Sequence, residues 1–149
     1  MISPLTDGPM TIMDSVGSTQ DVIAEALRTG GEVPGILLAR DQTSGRGRLQ
    51  RTWVSKPGDS LTVSFVFRAY ADHPMPWLVG MAVALAAAGA VHARLQWPND
   101  LVMGGKKVGG ILSEMLQDSS GNRIPVIGLG INLNQAEFPE EIAHRATSL

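Results

Sequence analysis

The sequence predicts an α+β domain built on a mixed, mainly antiparallel sheet packed with helices. Three observations carry that expectation. The helical segments do not alternate regularly with the β-like runs, which argues against βαβ winding. Gly104-Gly105 sits between two apolar runs and suits a tight hairpin turn, a connection that joins antiparallel strands. The chain has 149 residues, 44% hydrophobic and 17% charged, enough for one globular domain with a core.

The elements follow in order. Ser18 offers a hydroxyl cap with Asp21 three residues on, and Val22, Ile23, Ala26 and Leu27 form one apolar helical face that ends at Gly30-Gly31. Residues 35–40 (GILLAR) read as a short buried strand. Residues 41–51 are polar and punctuated by glycine, hence a loop, and residues 60–68 (SLTVSFVFR) alternate as a strand. Pro74 and Pro76 introduce a helix over 77–88 that is apolar almost all round and is therefore expected to be buried. ARLQW is a strand ended by Pro98, DLVMGGKKVGGILSEML is the hairpin, and NRIPVIGLGINLN is a further strand carrying two glycines. PEEIAHRATSL begins a last helix or turn. No repeat, low-complexity tract or linker divides the chain, so 1–149 reads as one domain.

Composition excludes several functions. With no cysteine there is no disulfide scaffold, thiolate zinc site or cysteine nucleophile. A net charge of -2 supplies no global field for nucleic acid or membrane, so any positive charge must act locally. The N-terminus lacks a basic start followed by an apolar run, and the longest apolar segment, 77–91, is short and rich in alanine and glycine for a bilayer span. A cytoplasmic location is the expectation. His73, His92 and His144 lie at no metal-ligand spacing, and no serine-elbow motif is present.

Positive charge does gather locally, in TSGRGRLQRTW (43–53). GRGRLQ starts like a dinucleotide fingerprint but has Gln50 at the third glycine and strand rather than helix after it. GGKK is not a phosphate loop either, because Asp100 and Lys107 stand where glycine and Ser/Thr belong. What remains is guanidinium forks and free backbone N–H groups suited to carboxylate or phosphate oxygens, beside the flat face of Trp53. A solvated basic loop with a core tryptophan accounts for the same residues. In WPND, Asn99 and Asp100 either cap a turn or present a carboxylate to magnesium or an amine. Lys107 with Gly109-Gly110, and Gly128 and Gly130 in GLGIN, mark β-like segments that a ligand can approach closely.

Together and in this order, GSTQD, DQTSGRGR…RTW, QWPNDL, KKVGGILSE and GLGINLN resemble the catalytic domain of biotin protein ligases, also called biotin–[acetyl-CoA-carboxylase] ligases. The resemblance runs from about residue 15 to 149 and implies that family's class II aminoacyl-tRNA-synthetase-like fold. It also implies two steps: biotin and ATP give biotinyl-5′-AMP, then a lysine of a biotin carboxyl carrier protein takes the biotinyl group. By resemblance, Ser18, Thr19, Gln20, Gln42, Arg46, Gly47, Lys107 and Gly110 bind biotin. Arg48, Arg51, Trp53, Asn132, Gly128 and Gly130 hold ATP and the adenylate. Arg48, Lys107 and Asp100 act in catalysis, with Asp100 also assigned to Mg2+ or to the incoming amine.

Some positions depart from the family pattern. Gln50 replaces a small residue, Gln20 an asparagine and Gln96 a lysine, so affinities are expected to change rather than the chemistry. The family's further helices, its SH3-like C-terminal domain and the N-terminal winged helix of its repressor members are not in this sequence. The expectation is a C-terminally truncated catalytic domain without DNA binding. Many relatives form homodimers through a sheet edge. Two other readings stand beside the first: a truncated module that binds biotin or its adenylate but transfers weakly, and a lipoate or octanoyl ligase-transferase of the same fold.

Overall fold

The computed structural model describes residue 6 and residues 8–149. Seven described strands form one sheet: β1 (Met10–Met13), β2 (Ile36–Ala39), β3 (Ser60–Val66), β4 (Arg94–Gln96), β5 (Asp100–Met103), β6 (Lys106–Gln117) and β7 (Arg123–Asn132). Their order is β1-β2-β3-β7-β6-β5-β4. Only β1 and β2 run parallel; every other neighbouring pair is antiparallel, as expected for the fold class. Three helices accompany the sheet: α1 (Thr19–Thr29), α2 (Trp77–Ala90) and the short α3 (Glu140–Ala143).

Strand alternation gives the sheet two different faces. Val63, Ile111, Ile127, Leu129 and Ile131 form the core under α2. On the other face α1 buries Ile23 and Leu27 against Leu37, Val66, Ile124 and Val126. Burying each such side chain contributes about 1.5–3 kcal/mol. Farther along that second face the registered pairs are Ser64 with Gly128 and Thr62 with Gly130. Small and polar residues replace the apolar ones there, so beside the start of α1 no apolar layer packs on the sheet. That polar floor positions the site.

α1 is capped at Ser18 as expected, but the serine side chain makes no capping hydrogen bond. Its C-terminal Gly30 is left-handed (φ 70°). Gly104 and Gly105 both take positive φ, which only glycine adopts without strain, and they close the β5–β6 hairpin. One expectation fails, and one strand went unread. α2 is not buried all round: Trp77, Leu78, Met81 and Leu85 are exposed, because the sheet covers one face of the helix and no described element covers the other. Strand β1 has no sequence signature, since all four residues of MTIM are exposed and show no alternation.

The hairpin also contains a β-bulge. Leu101 pairs with Gly109, but Val102 pairs with Lys107, so Val108 is an extra residue in β6. Three residues apart, Lys107 and Gly110 would face opposite sides of a regular strand. The bulge brings them to the same side: a β-carbon on Gly110 would lie 3.3 Å from Lys107 Nζ.

Candidate active site

A cleft of about 630 Å³ opens over the polar floor. Every biotin, nucleotide and catalytic position expected from the sequence lies on its lining: Ser18, Thr19, Gln20, Gln42, Arg46, Gly47, Arg48, Arg51, Trp53, Asp100, Lys107, Gly110, Gly128, Gly130 and Asn132.

The register of β7 orders these groups. Gln20 covers Gly128, where a β-carbon would come within 2.7 Å of Gln20 Oε1. Two residues on, the indole of Trp53 lies against Gly130, with Cε2 at 2.7 Å from such a carbon. Asn132 follows. Four residues of strand span roughly 13 Å. Neutral hydrogen-bonding groups therefore gather at one end of the cleft, and charged and aromatic groups at the other.

At the neutral end, Gln42 Oε1 accepts hydrogen bonds from the Thr19 N–H (2.8 Å) and the Thr19 hydroxyl (3.0 Å). The Thr19 hydroxyl also lies 2.8 Å from Ser64 Oγ. An amide oxygen has no proton to give, so Thr19 donates to Gln42 and Ser64 donates to Thr19. Thr19 thus orients Gln42, whose NH2 group lines the cleft with the uncapped Ser18 hydroxyl as hydrogen-bonding groups. Gln20 Nε2 donates to the Leu112 carbonyl at 3.2 Å and the Val126 carbonyl at 3.4 Å, tying α1 to β6 and β7.

At the charged end, Lys107 Nζ donates to Asp100 Oδ1 at 2.7 Å. Two further ammonium protons remain for a ligand. Arg48 Nη1 donates to Asn99 Oδ1 at 3.2 Å, and Asn99 Nδ2 in turn donates to the Ile111 carbonyl at 2.9 Å. Arg51 makes no ion pair among the described residues. Asn132 Nδ2 donates to the Thr147 carbonyl at 2.9 Å, which turns its amide and leaves Oδ1 to accept from a ligand. Trp53 does not stand away from the floor as a separate wall; its indole touches Gly130, and Nε1 has no partner.

Arg46 lies on the cleft lining and is engaged by two carboxylates. Its guanidinium forms a bidentate pair with Glu114, both bonds 2.9 Å, and also meets Asp21 at 2.9 Å. The Glu114 hydrogen bonds hold the guanidinium above its ordinary arginine pKa against the cost of burial. Asp100 is the only carboxylate lining the cleft, and no cluster of three His, Asp or Glu able to hold a metal exists among the described residues. The backbone of Gln50 lies in the turn Arg48–Gln50, and its side chain is outside those described.

Sequence reasoning missed several cleft residues. Phe138, Ile142, Arg145 and Ala146 enter from the C-terminal segment, where Lys107 N–H donates to the Arg145 carbonyl (2.8 Å) and Thr147 N–H to the Lys107 carbonyl (2.9 Å). Nothing local in HRATSL announces that contact. Glu114 was findable, since Gly110, Leu112 and Glu114 share a strand face.

The chain is similar to proteins already known. Residues 12–132 match the model of the biotin/lipoate A/B protein ligase family. The bifunctional ligase/repressor BirA of Bacillus subtilis is 35% identical over 91% of this chain and 44% of its own length. A biotin--[acetyl-CoA-carboxylase] ligase of Mycobacterium tuberculosis is 35% identical over 94% of the chain and 54% of its own. Among solved structures, the biotin protein ligase from Aquifex aeolicus in complex with biotin and ATP superposes with a TM-score of 0.72 at 35% identity, covering 94% of this chain and 59% of that one. The chain thus spans about half the length of these curated relatives.

Proposed function

This chain belongs to the biotin/lipoate A/B protein ligase family, and from that premise we propose that it activates biotin with ATP and transfers it to a carrier-protein lysine. The observation that carries the reading is the two-ended cleft. Its neutral end suits an uncharged ureido ring, and its cationic end suits a carboxylate meeting a triphosphate.

In the first step a biotin carboxylate oxygen attacks the α-phosphorus of ATP. The bond from that phosphorus to the bridging oxygen breaks, and pyrophosphate leaves. Two anions must meet, and Lys107 supplies its free N–H groups where the bulge brings it beside Gly110. Arg48 and Arg51, on the Arg/Gly loop, hold the phosphate side. Ser18 and the Gln42 NH2 group bind the ureido ring, with Thr19 and Gln20 orienting them. Trp53 offers adenine the part of its ring turned away from Gly130, and Asn132 Oδ1 accepts from the adenine amino group.

In the second step the lysine nitrogen attacks the acyl carbon, the acyl–oxygen bond breaks, AMP leaves and the amine loses a proton. Asp100, held beside Lys107, is the carboxylate placed to take it. Asp100 would be the protein contact for a magnesium ion. The ion would neutralise triphosphate charge.

The acceptor is a biotin carboxyl carrier protein, in the cytoplasm. Pairing of two copies belongs to the same proposal; β1 ends the sheet with Met10 and Ile12 exposed. No described helix is long and apolar enough to cross a membrane. Incubation with biotin, ATP, Mg2+ and a carrier domain tests the reading, with mass spectrometry of both products. Biotinyl-5′-AMP and a biotinylated lysine are expected. Adenylate without transfer would instead favour a binding module.

A further inference from the structure

The Arg/Gly segment is a small hairpin-like excursion rather than an irregular loop. Trp53 N–H donates to the Gly45 carbonyl at 2.8 Å, and Gly47 N–H to the Arg51 carbonyl at 2.7 Å. Between them Arg46 and Thr52 form an antiparallel bridge. The base is tight: a β-carbon on Gly45 would lie 2.6 Å from the Trp53 carbonyl oxygen. The tip is the turn Arg48–Gln50, with Leu49 in the left-handed region at φ 55°.

The three arginines divide between base and tip. Arg46 leaves the base and is held by Glu114 of β6 and Asp21 of α1, at 2.9 Å in each contact. Arg48 and Arg51 lie at or beside the tip and are exposed. Arg48 has the single neutral partner Asn99, and Arg51 has no ion pair among the described residues. A ligand carboxylate arriving at Arg46 would have to displace a bidentate partner while facing a second negative charge. At Arg48, Arg51 or Lys107 it meets donors with protons still free.

We propose that Glu114, assisted by Asp21, is a positioning residue: it clamps Arg46 so that the lid's base stays fixed and only its tip closes over the ligand. The clamp rests on the proposed ligase reading for its purpose, not for its geometry. A fixed base keeps Trp53 and Gln42, which flank the excursion, in register with the floor. A moving tip lets Arg48 and Arg51 engage the phosphate after the nucleotide has entered.

The test is a mutant cycle of Glu114→Gln, Arg46→Gln and the double variant, with thermal denaturation as the check on folding. Three quantities are read: tryptic cleavage after Arg48 and Arg51 in the free protein, the rate of adenylate release, and biotin affinity by calorimetry. Each variant should speed cleavage and release about tenfold, the double no more than either single, and Glu114→Gln should leave biotin affinity unchanged. Asp21→Asn, at an exposed position with the Glu114 pair intact, should speed both less, about threefold, and serves if the other variants unfold.

Unchanged cleavage in Glu114→Gln would overturn the clamp. So would an Arg46→Gln variant that alone loses biotin affinity while Glu114→Gln keeps it, because Arg46 would then hold the ligand directly. If the parent forms no adenylate, the ligase reading falls, and the cleavage ratios still decide the clamp.

Discussion

Lys107 and Asp100 form a 2.7 Å ion pair at the cationic end of the cleft, from the two neighbouring strands β6 and β5. The pair exists on this side of the sheet because Val108 bulges out of register and turns Lys107 toward Gly110. If Lys107 meets the reacting oxygens as proposed, Lys107→Ala removes a charge-assisted hydrogen bond worth about 1.5–3 kcal/mol. Adenylate formation should slow by roughly 10- to 150-fold with biotin affinity changed far less, as measured by single-turnover kinetics.

In the proposed function Arg48 holds the nucleotide side; its guanidinium is exposed and, among the described residues, donates to Asn99 alone. Arg48→Gly should let the adenylate escape, raising its release rate by about tenfold or more for each lost charge-assisted bond. Release from the loaded protein, followed by rapid filtration, is the measurement. Unchanged retention would remove Arg48 from the site.

Gly130→Ala places a carbon 2.7 Å from Trp53 Cε2 and 2.8 Å from Cζ2. An indole is rigid, so the whole ring must shift. The cost is about 1–3 kcal/mol; at about 2–4 °C per kcal/mol the melting temperature should fall by several degrees. The ATP KM should rise while biotin affinity holds, because the contact lies at the end of the cleft proposed for the nucleotide. Tryptophan fluorescence reports the displaced ring.

Acid should weaken the β6–β7 turn in a defined direction. Asp118 accepts hydrogen bonds from the Asn122 side chain and from the Asn122 and Ser120 N–H groups, each at 2.9 Å. These bonds, the Asn122 side chain first, hold its carboxyl below the ordinary aspartate value. A lowered folded-state pKa stabilises above the unfolded value, about 3.9, and is lost as pH falls through the folded one. The melting-temperature gap between the parent and Asp118→Ala should therefore be widest near neutrality and close in acid below about pH 4.

Most of the sheet was legible because its signals are local. The alternation of residues 60–68 and the Gly104-Gly105 turn act within a few residues, and both appear where expected. The cleft residues were legible through motifs whose order resembles one family. The bulge was not, because glycines at 109 and 110 erase the alternation that would show a register shift. The ion pair of Arg46 was not legible for a similar reason: Glu114 lies 68 residues away, and no local pattern pairs them. The exposed face of α2 escaped because periodicity cannot say how many layers cover a helix.

The central claim is that this cleft activates biotin with ATP. Exchange of labelled pyrophosphate into ATP, measured with biotin, with lipoate and with neither, tests it most directly. The account predicts rapid exchange with biotin, little with lipoate and none without acid. Exchange driven by lipoate instead, or no biotin-dependent exchange from a folded protein that binds biotin, would contradict it.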